Sequence, residues 1–95
     1  MIEFEWDAEK ADANRRKHRV SFEEARSLFY DEFADLFGDP AHSTAEHRFI
    51  MLGASDRLRI LVVCHCERLD GNVIRIISAR KATARERRQY RGPLP

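Results

Sequence analysis

No stretch of this chain approaches the ~20 consecutive apolar residues that a membrane-spanning helix needs. The opening MIEFEWDAEK is acidic and lacks the apolar centre of a signal peptide. A cytoplasmic protein with no membrane role and reduced thiols is therefore expected. Cysteine is scarce, with Cys64 and Cys66 the only two. In a strand, that spacing puts both sulfurs on one face and the intervening His65 imidazole on the other. A zinc site needs four convergent ligands, usually with Cys-x-x-Cys spacing. No metal or cofactor is expected, and the cysteines read as small buried apolar residues. Glycine is sparse too. The four glycines are isolated, which excludes a glycine-rich phosphate loop. No serine stands in a nucleophile elbow. No repeat, low-complexity tract or linker interrupts the 95 residues, so one domain over 1–95 is expected.

What the chain has in quantity is charge: 35% of residues, against 43% hydrophobic, with a net of only +1. That balance supports a small folded core rather than disorder. The charge is unevenly spread. RIISARKATARERRQYR (75–91) holds seven basic residues against Glu86, a net of +6, which leaves −5 elsewhere. Either this end meets an anionic partner, or its arginines pair with acids elsewhere in the fold.

The pattern predicts a short strand in IEFEW (2–6) and then a helix from an Asp7 cap to about His18, with cations in its last turns. VSFEEARSLFY (20–30) opens with a Ser21/Glu24 capping box and a Val20/Ala25 staple. Phe22, Ala25, Leu28 and Phe29 share its core face. Strands are expected in 32–37, 46–55, 57–68 and 73–80, with turns at GDP (38–40), near Ser55-Asp56-Arg57 and at LDGN (69–72). The Ile/Val density of 73–80 suggests a central strand buried on both faces. Thr83 and Glu86 form a second capping box for a last helix ending at Gly92-Pro93. This order of elements argues an α+β fold, with helices against one face of an antiparallel meander.

Arg75 interrupts an apolar strand, and a buried guanidinium needs a partner or a wet cleft. Simple alternation puts Arg80 on the opposite face from Arg75. Across the 69–72 hairpin, Glu67 and Arg68 come within reach of Arg75. Two readings follow. One is an arginine cluster with a carboxylate, suited to holding phosphate. The other is an Arg75–Glu67 or Arg68–Asp70 ion pair. Of His18, His42, His47 and His65, none belongs to a local catalytic signature, and His18 beside Lys17 stands out as an acid/base candidate. Tyr90 among arginines suits either stacking on a base or packing onto the sheet.

FEWDAEKADANRRKHRVSFEEARSLFYD (4–31), EHRFIMLG (46–53) and RIISARKATARERRQY (75–90) together resemble the BrnT toxins of bacterial type II toxin–antitoxin systems. The resemblance implies a RelE-like fold with two N-terminal helices and one C-terminal helix. It implies an endoribonuclease that inhibits translation, and a BrnA-like ribbon-helix-helix antitoxin through which DNA is reached indirectly. Metal-independent cleavage would use Arg75 and Arg80 on the phosphate with Arg68 in support, and Glu67 or His18 as base. Lys17, Lys81, Arg87 and Tyr90 would serve RNA binding. Two departures stand out: Arg19 replaces the family's usual glycine at a helix end, and CHCER (64–68) replaces an aromatic or threonine before Glu67-Arg68. The competing function is a non-catalytic module that binds an antitoxin or repressor. Direct DNA binding is weaker, because the basic segment has no helix-turn-helix pattern.

Overall fold

The structure is a computed structural model and describes residues 2–39 and 47–94. Pro40, His42 and Glu46, which fall in the turn, histidine and strand expectations, lie outside those residues. The elements run β1 (Glu3–Glu5), α1 (Ala8–His18), α2 (Phe22–Arg26), β2 (Asp35–Gly38), β3 (Arg48–Ala54), β4 (Ile60–Arg68), β5 (Val73–Lys81) and α3 (Ala84–Gln89). A 3-10 turn, Ser27–Tyr30, follows α2 directly.

The sheet order is β1-β5-β4-β3-β2. Strands β2 to β5 form the expected antiparallel meander. β1 departs from it by lying parallel to β5, with Phe4 opposite Ile74 and Glu5 opposite Arg75. The sheet is therefore mixed, and the purely antiparallel expectation is corrected. Alternation in IEFEW marks a strand but says nothing of its partner. The two helices carry the chain from β1 to the far edge of the sheet, so β1 is left to close the outer side of the last strand.

One face of the sheet carries the main core. Leu61, Val63, Ile74, Ile76 and Ala79 pack against Val20, Phe22, Ala25 and Leu28. The other face holds Leu52, Ile60 and Val62 beneath Tyr90. The chain after α3 thus covers the face opposite α1 and α2, where a single helical layer was expected. β4 is the strand buried on both faces. β5 is interior but one-sided, because its outward positions are Arg75, Ser78 and Arg80.

A β-bulge re-phases β5. Ser78 pairs with Cys64 and Ile76 with His65, so Ile77 is an extra residue. Arg75 stands opposite Cys66 and Arg80 opposite Val62, which share a face of β4. The two arginines therefore lie on the same face, not on opposite ones. A bulge of this kind re-aims every side chain beyond it.

Local chemistry explains the helix ends. Asp7 Oδ1 accepts from the Glu9 and Lys10 N–H groups at 2.8 and 3.3 Å. α1 stops at Arg19, whose φ of 60° and ψ of 32° are left-handed. The conformation a glycine would favour is kept here by an arginine. Buried Asn14 uses its whole amide. Nδ2 donates to Val20 O and Ala79 O, both at 2.9 Å, and Oδ1 accepts from Ala79 N at 3.1 Å. The side chain thus takes the place of a neighbouring strand beside β5, beyond the reach of the three-residue β1.

Ser21 caps α2 by accepting from Glu24 N at 3.0 Å. The Glu24 carboxylate does not complete the box. It is buried, accepts from Ser55 Oγ at 2.6 Å and Arg59 Nε at 2.9 Å, and pairs with Arg59 through a second nitrogen as well. Burial alone pushes its pKa up, but the Arg59 and Ser55 hydrogen bonds outweigh it and hold the carboxyl below its ordinary value. This pair fixes the β3–β4 hairpin to α2. The Thr83/Glu86 box, by contrast, forms both bonds.

Candidate functional site: a cationic cleft at one end of the sheet

The 69–72 hairpin brings the end of β4 beside the start of β5, and the parallel pairing brings in β1. Glu67, Arg68 and Arg75 line one open cleft together with Lys10 of α1 and His47, which precedes β3. Arg68 and Arg75 project from the face of Cys66, whereas Glu67 is on the opposite face with Ile74. The cleft therefore wraps around the sheet's end. The Glu67 N–H donates to His47 O at 3.4 Å, while its carboxylate has no hydrogen bond or ion pair among the described residues.

The arginines do have an acid, but neither of those expected from spacing. Glu5 of β1 pairs with Arg68 and lies 3.8 Å from Arg75. All three side chains are about a third to a half exposed, so water weakens both contacts and an incoming anion can compete for the guanidiniums. Lys10 and Glu5 escaped the sequence reading, and His47 ranked there below His18, because three separate segments deliver them. The parallel β1–β5 register, which would have pointed to Glu5, has no local signature.

The remaining candidates lie elsewhere. His18, half-buried, is the last residue of α1. It stands eight residues beyond Lys10, about 12 Å along the helix, so the structure puts His47 rather than His18 at the cleft. Lys17 is exposed on the same helix end. Arg80 is engaged by Glu86 through two parallel bonds of 2.8 and 2.9 Å. That fork, with the Thr83 N–H, pushes the Glu86 carboxyl down to about 2. Lys81 and Arg87 line a different, smaller cleft with Leu58 and Ile60. Tyr90 is not available to stack a base. It is buried against Leu52, Ile60 and Val62, and its hydroxyl donates to Asp31 Oδ2 at 2.6 Å. Burial and the Asp31 carboxylate push its pKa up to about 12.

His65 is a core residue. Its ring stacks on Phe49 at 5.7 Å and meets the edge of Phe29 at 4.9 Å. It is 1% exposed, and Nδ1 has no hydrogen-bond partner among the described residues. Burial pushes its pKa down to about 4, against a small upward pull from the Val63 backbone. Cys64 and Cys66 face away from it across the sheet.

Fold and cleft together define a small α+β protein with an anion-receptive pocket of arginine, lysine and histidine around one free carboxylate. The family model described as "Ribonuclease toxin, BrnT, of type II toxin-antitoxin system" matches residues 6–86. The chain belongs to the BrnT family. Its fold is similar to the crystal structure of the Brucella abortus ribonuclease toxin BrnT, with a TM-score of 0.65 and 22% identity over 87% of this chain and 99% of that one. No curated protein sequence matches. Membership of a type II toxin–antitoxin family implies an antitoxin partner. Among the described residues, no helix is long and apolar enough to cross a membrane.

Proposed function

We propose that this chain is a metal-independent endoribonuclease that inhibits translation in the cytoplasm, held in check by a BrnA-like ribbon-helix-helix antitoxin. The observation that carries the proposal is the convergence of Glu67, Arg68 and Arg75 with Lys10 and His47 in one open cleft. Arg75, Arg68 and Lys10 hold the scissile phosphate and stabilise its extra negative charge in the transition state. Glu67, a carboxylate with no other partner among the described residues, takes the proton from the ribose 2′-hydroxyl. The 2′-oxygen attacks phosphorus, and the bond to the 5′-oxygen breaks. His47 gives a proton to that leaving oxygen. The products are a 2′,3′-cyclic phosphate and a 5′-hydroxyl end. DNA is reached only through the antitoxin.

The test is cleavage of a long RNA by purified protein in excess chelator, comparing wild type with Arg75→Ala and mapping the product ends. Wild type yields cyclic-phosphate ends and the variant yields none. Full activity in a folded Arg75→Ala, or a requirement for added divalent metal, overturns the scheme. If expression of the protein without its antitoxin leaves cell growth unaffected, the non-catalytic interaction module replaces it.

A further inference from the structure

Outside α3, Arg15 and Arg16 are matched with Asp12, Arg59 with Glu24, Arg68 and Arg75 with Glu5, Arg80 with Glu86 and Arg91 with Asp35, whereas Arg19, Arg26 and Arg57 are exposed and have no acid partner among the described residues. The end of β5 and α3 differ in the density of unpaired cations. Lys81, Arg85, Arg87 and Arg88 are exposed and have no acid partner among the described residues. Arg85 and Arg88 sit one helical turn apart, where like charges cost a few tenths of a kcal/mol. Four unpaired cations thus fall within residues 81–88, whereas the other unpaired arginines, Arg19, Arg26 and Arg57, stand apart along the chain.

Their position relative to the cleft follows from the bulge. With Ile77 out of register, Arg75 and Arg80 face the same way along β5. Glu86 then ties Arg80 to the start of α3. From Arg75 to Arg80 is roughly 16 Å of strand, in a molecule whose extents are 33 × 29 × 26 Å. That is too long for one phosphate and is suited to a polymer of them.

We propose that Arg75, Arg80, Arg85 and Arg88 form one phosphate-tracking surface, and that the substrate is a single strand long enough to lie from the cleft to α3. The polymer's identity as RNA rests on the ribonuclease reading of the cleft. The track itself rests on the bulge and on the unneutralised cations. Its contacts are with phosphates and are independent of sequence, so it adds affinity and leaves choice of cleavage position to the cleft.

The test measures binding of 2′-O-methyl RNA oligonucleotides of about 4 to about 16 nucleotides. These keep every phosphate but lack the 2′-hydroxyl nucleophile, so they bind without being cut. For wild type, affinity climbs with length. In an Arg85→Gln/Arg88→Gln variant the climb is lost, and the slope of log affinity against log salt falls by about 1.4, or ~0.7 per lost phosphate contact on a single strand. Both residues are exposed, so circular dichroism melting is expected to match wild type. Wild-type affinity and salt slope in this variant overturn the track. So does weakened capture of the antitoxin with RNA binding intact, which makes α3 a protein-docking surface. Loss of the length dependence, alongside a wild type that fails to cut unmodified RNA, keeps the track and removes the catalytic assignment.

Discussion

Lowering the pH toward 4 should loosen this protein from the inside, and His65 is the reason. Its ring is 1% exposed between Phe29 and Phe49, and its pKa stands at about 4. In the unfolded chain, histidine titrates near 6.5. Between those values the unfolded state binds a proton that the folded state refuses. Stability is therefore full above about pH 6.5 and falls as the pH drops, levelling off once the folded pKa is passed. At about 1.4 kcal/mol per pH unit, the gap corresponds to roughly 3 kcal/mol, a large part of the 5–15 kcal/mol typical of a domain. Glu24 and Asp31 have lowered carboxyl pKa values, so their contributions fade only below the ordinary carboxylate range, leaving most of this window to His65. Urea unfolding at several pH values, on wild type and on His65→Phe, isolates the effect. The phenylalanine keeps an aromatic ring between its neighbours and removes the titration. Wild type should lose about 3 kcal/mol across the window relative to the variant. Parallel loss in both proteins refutes the assignment.

Arg59→Ala strips the buried Glu24 carboxylate of its cation and should cost about 3 kcal/mol in urea unfolding at pH 7; a cost under about 1 kcal/mol would place this pair among surface contacts. Arg19→Gly relieves a left-handed residue at φ 60° and should raise stability by up to about 1 kcal/mol, seen as a higher melting temperature; an unchanged or lower value counts against strain there. Glu5→Gln frees Arg68 and Arg75 from their acid and should tighten binding of a 2′-O-methyl oligonucleotide severalfold at low salt, with weaker binding showing that Glu5 orients the arginines rather than competing for them.

Elements whose signals are local were legible. Asp7, Ser21 and Thr83 cap where the sequence places them, and Phe22, Ala25 and Leu28 are buried as their spacing requires. The hairpin at 69–72 delivers Glu67 and Arg68 beside Arg75, so the centre of the cleft was readable from two adjacent strands. What escaped depends on distant partners. Glu24 fits a capping box by sequence, but Arg59, 35 residues later, outcompetes the cap for its carboxylate. The bulge at Ile77 leaves no mark in a run of Ile and Ser, yet it decides which way Arg80 points. Tyr90 sits among arginines in the sequence, but Asp31, 59 residues away, takes its hydroxyl.

Asn14 has a further consequence, for how this sheet meets other chains. A strand edge with free N–H and C=O groups invites another strand to add to it. On the β5 side, β1 covers residues 73–75 and the Asn14 amide occupies both backbone groups of Ala79. At the other edge, β2 has a strand neighbour on one side only among the described residues, and exposes Leu36 and Phe37 there. Among the described residues, an added strand thus meets a covered edge at β5 and an open one at β2.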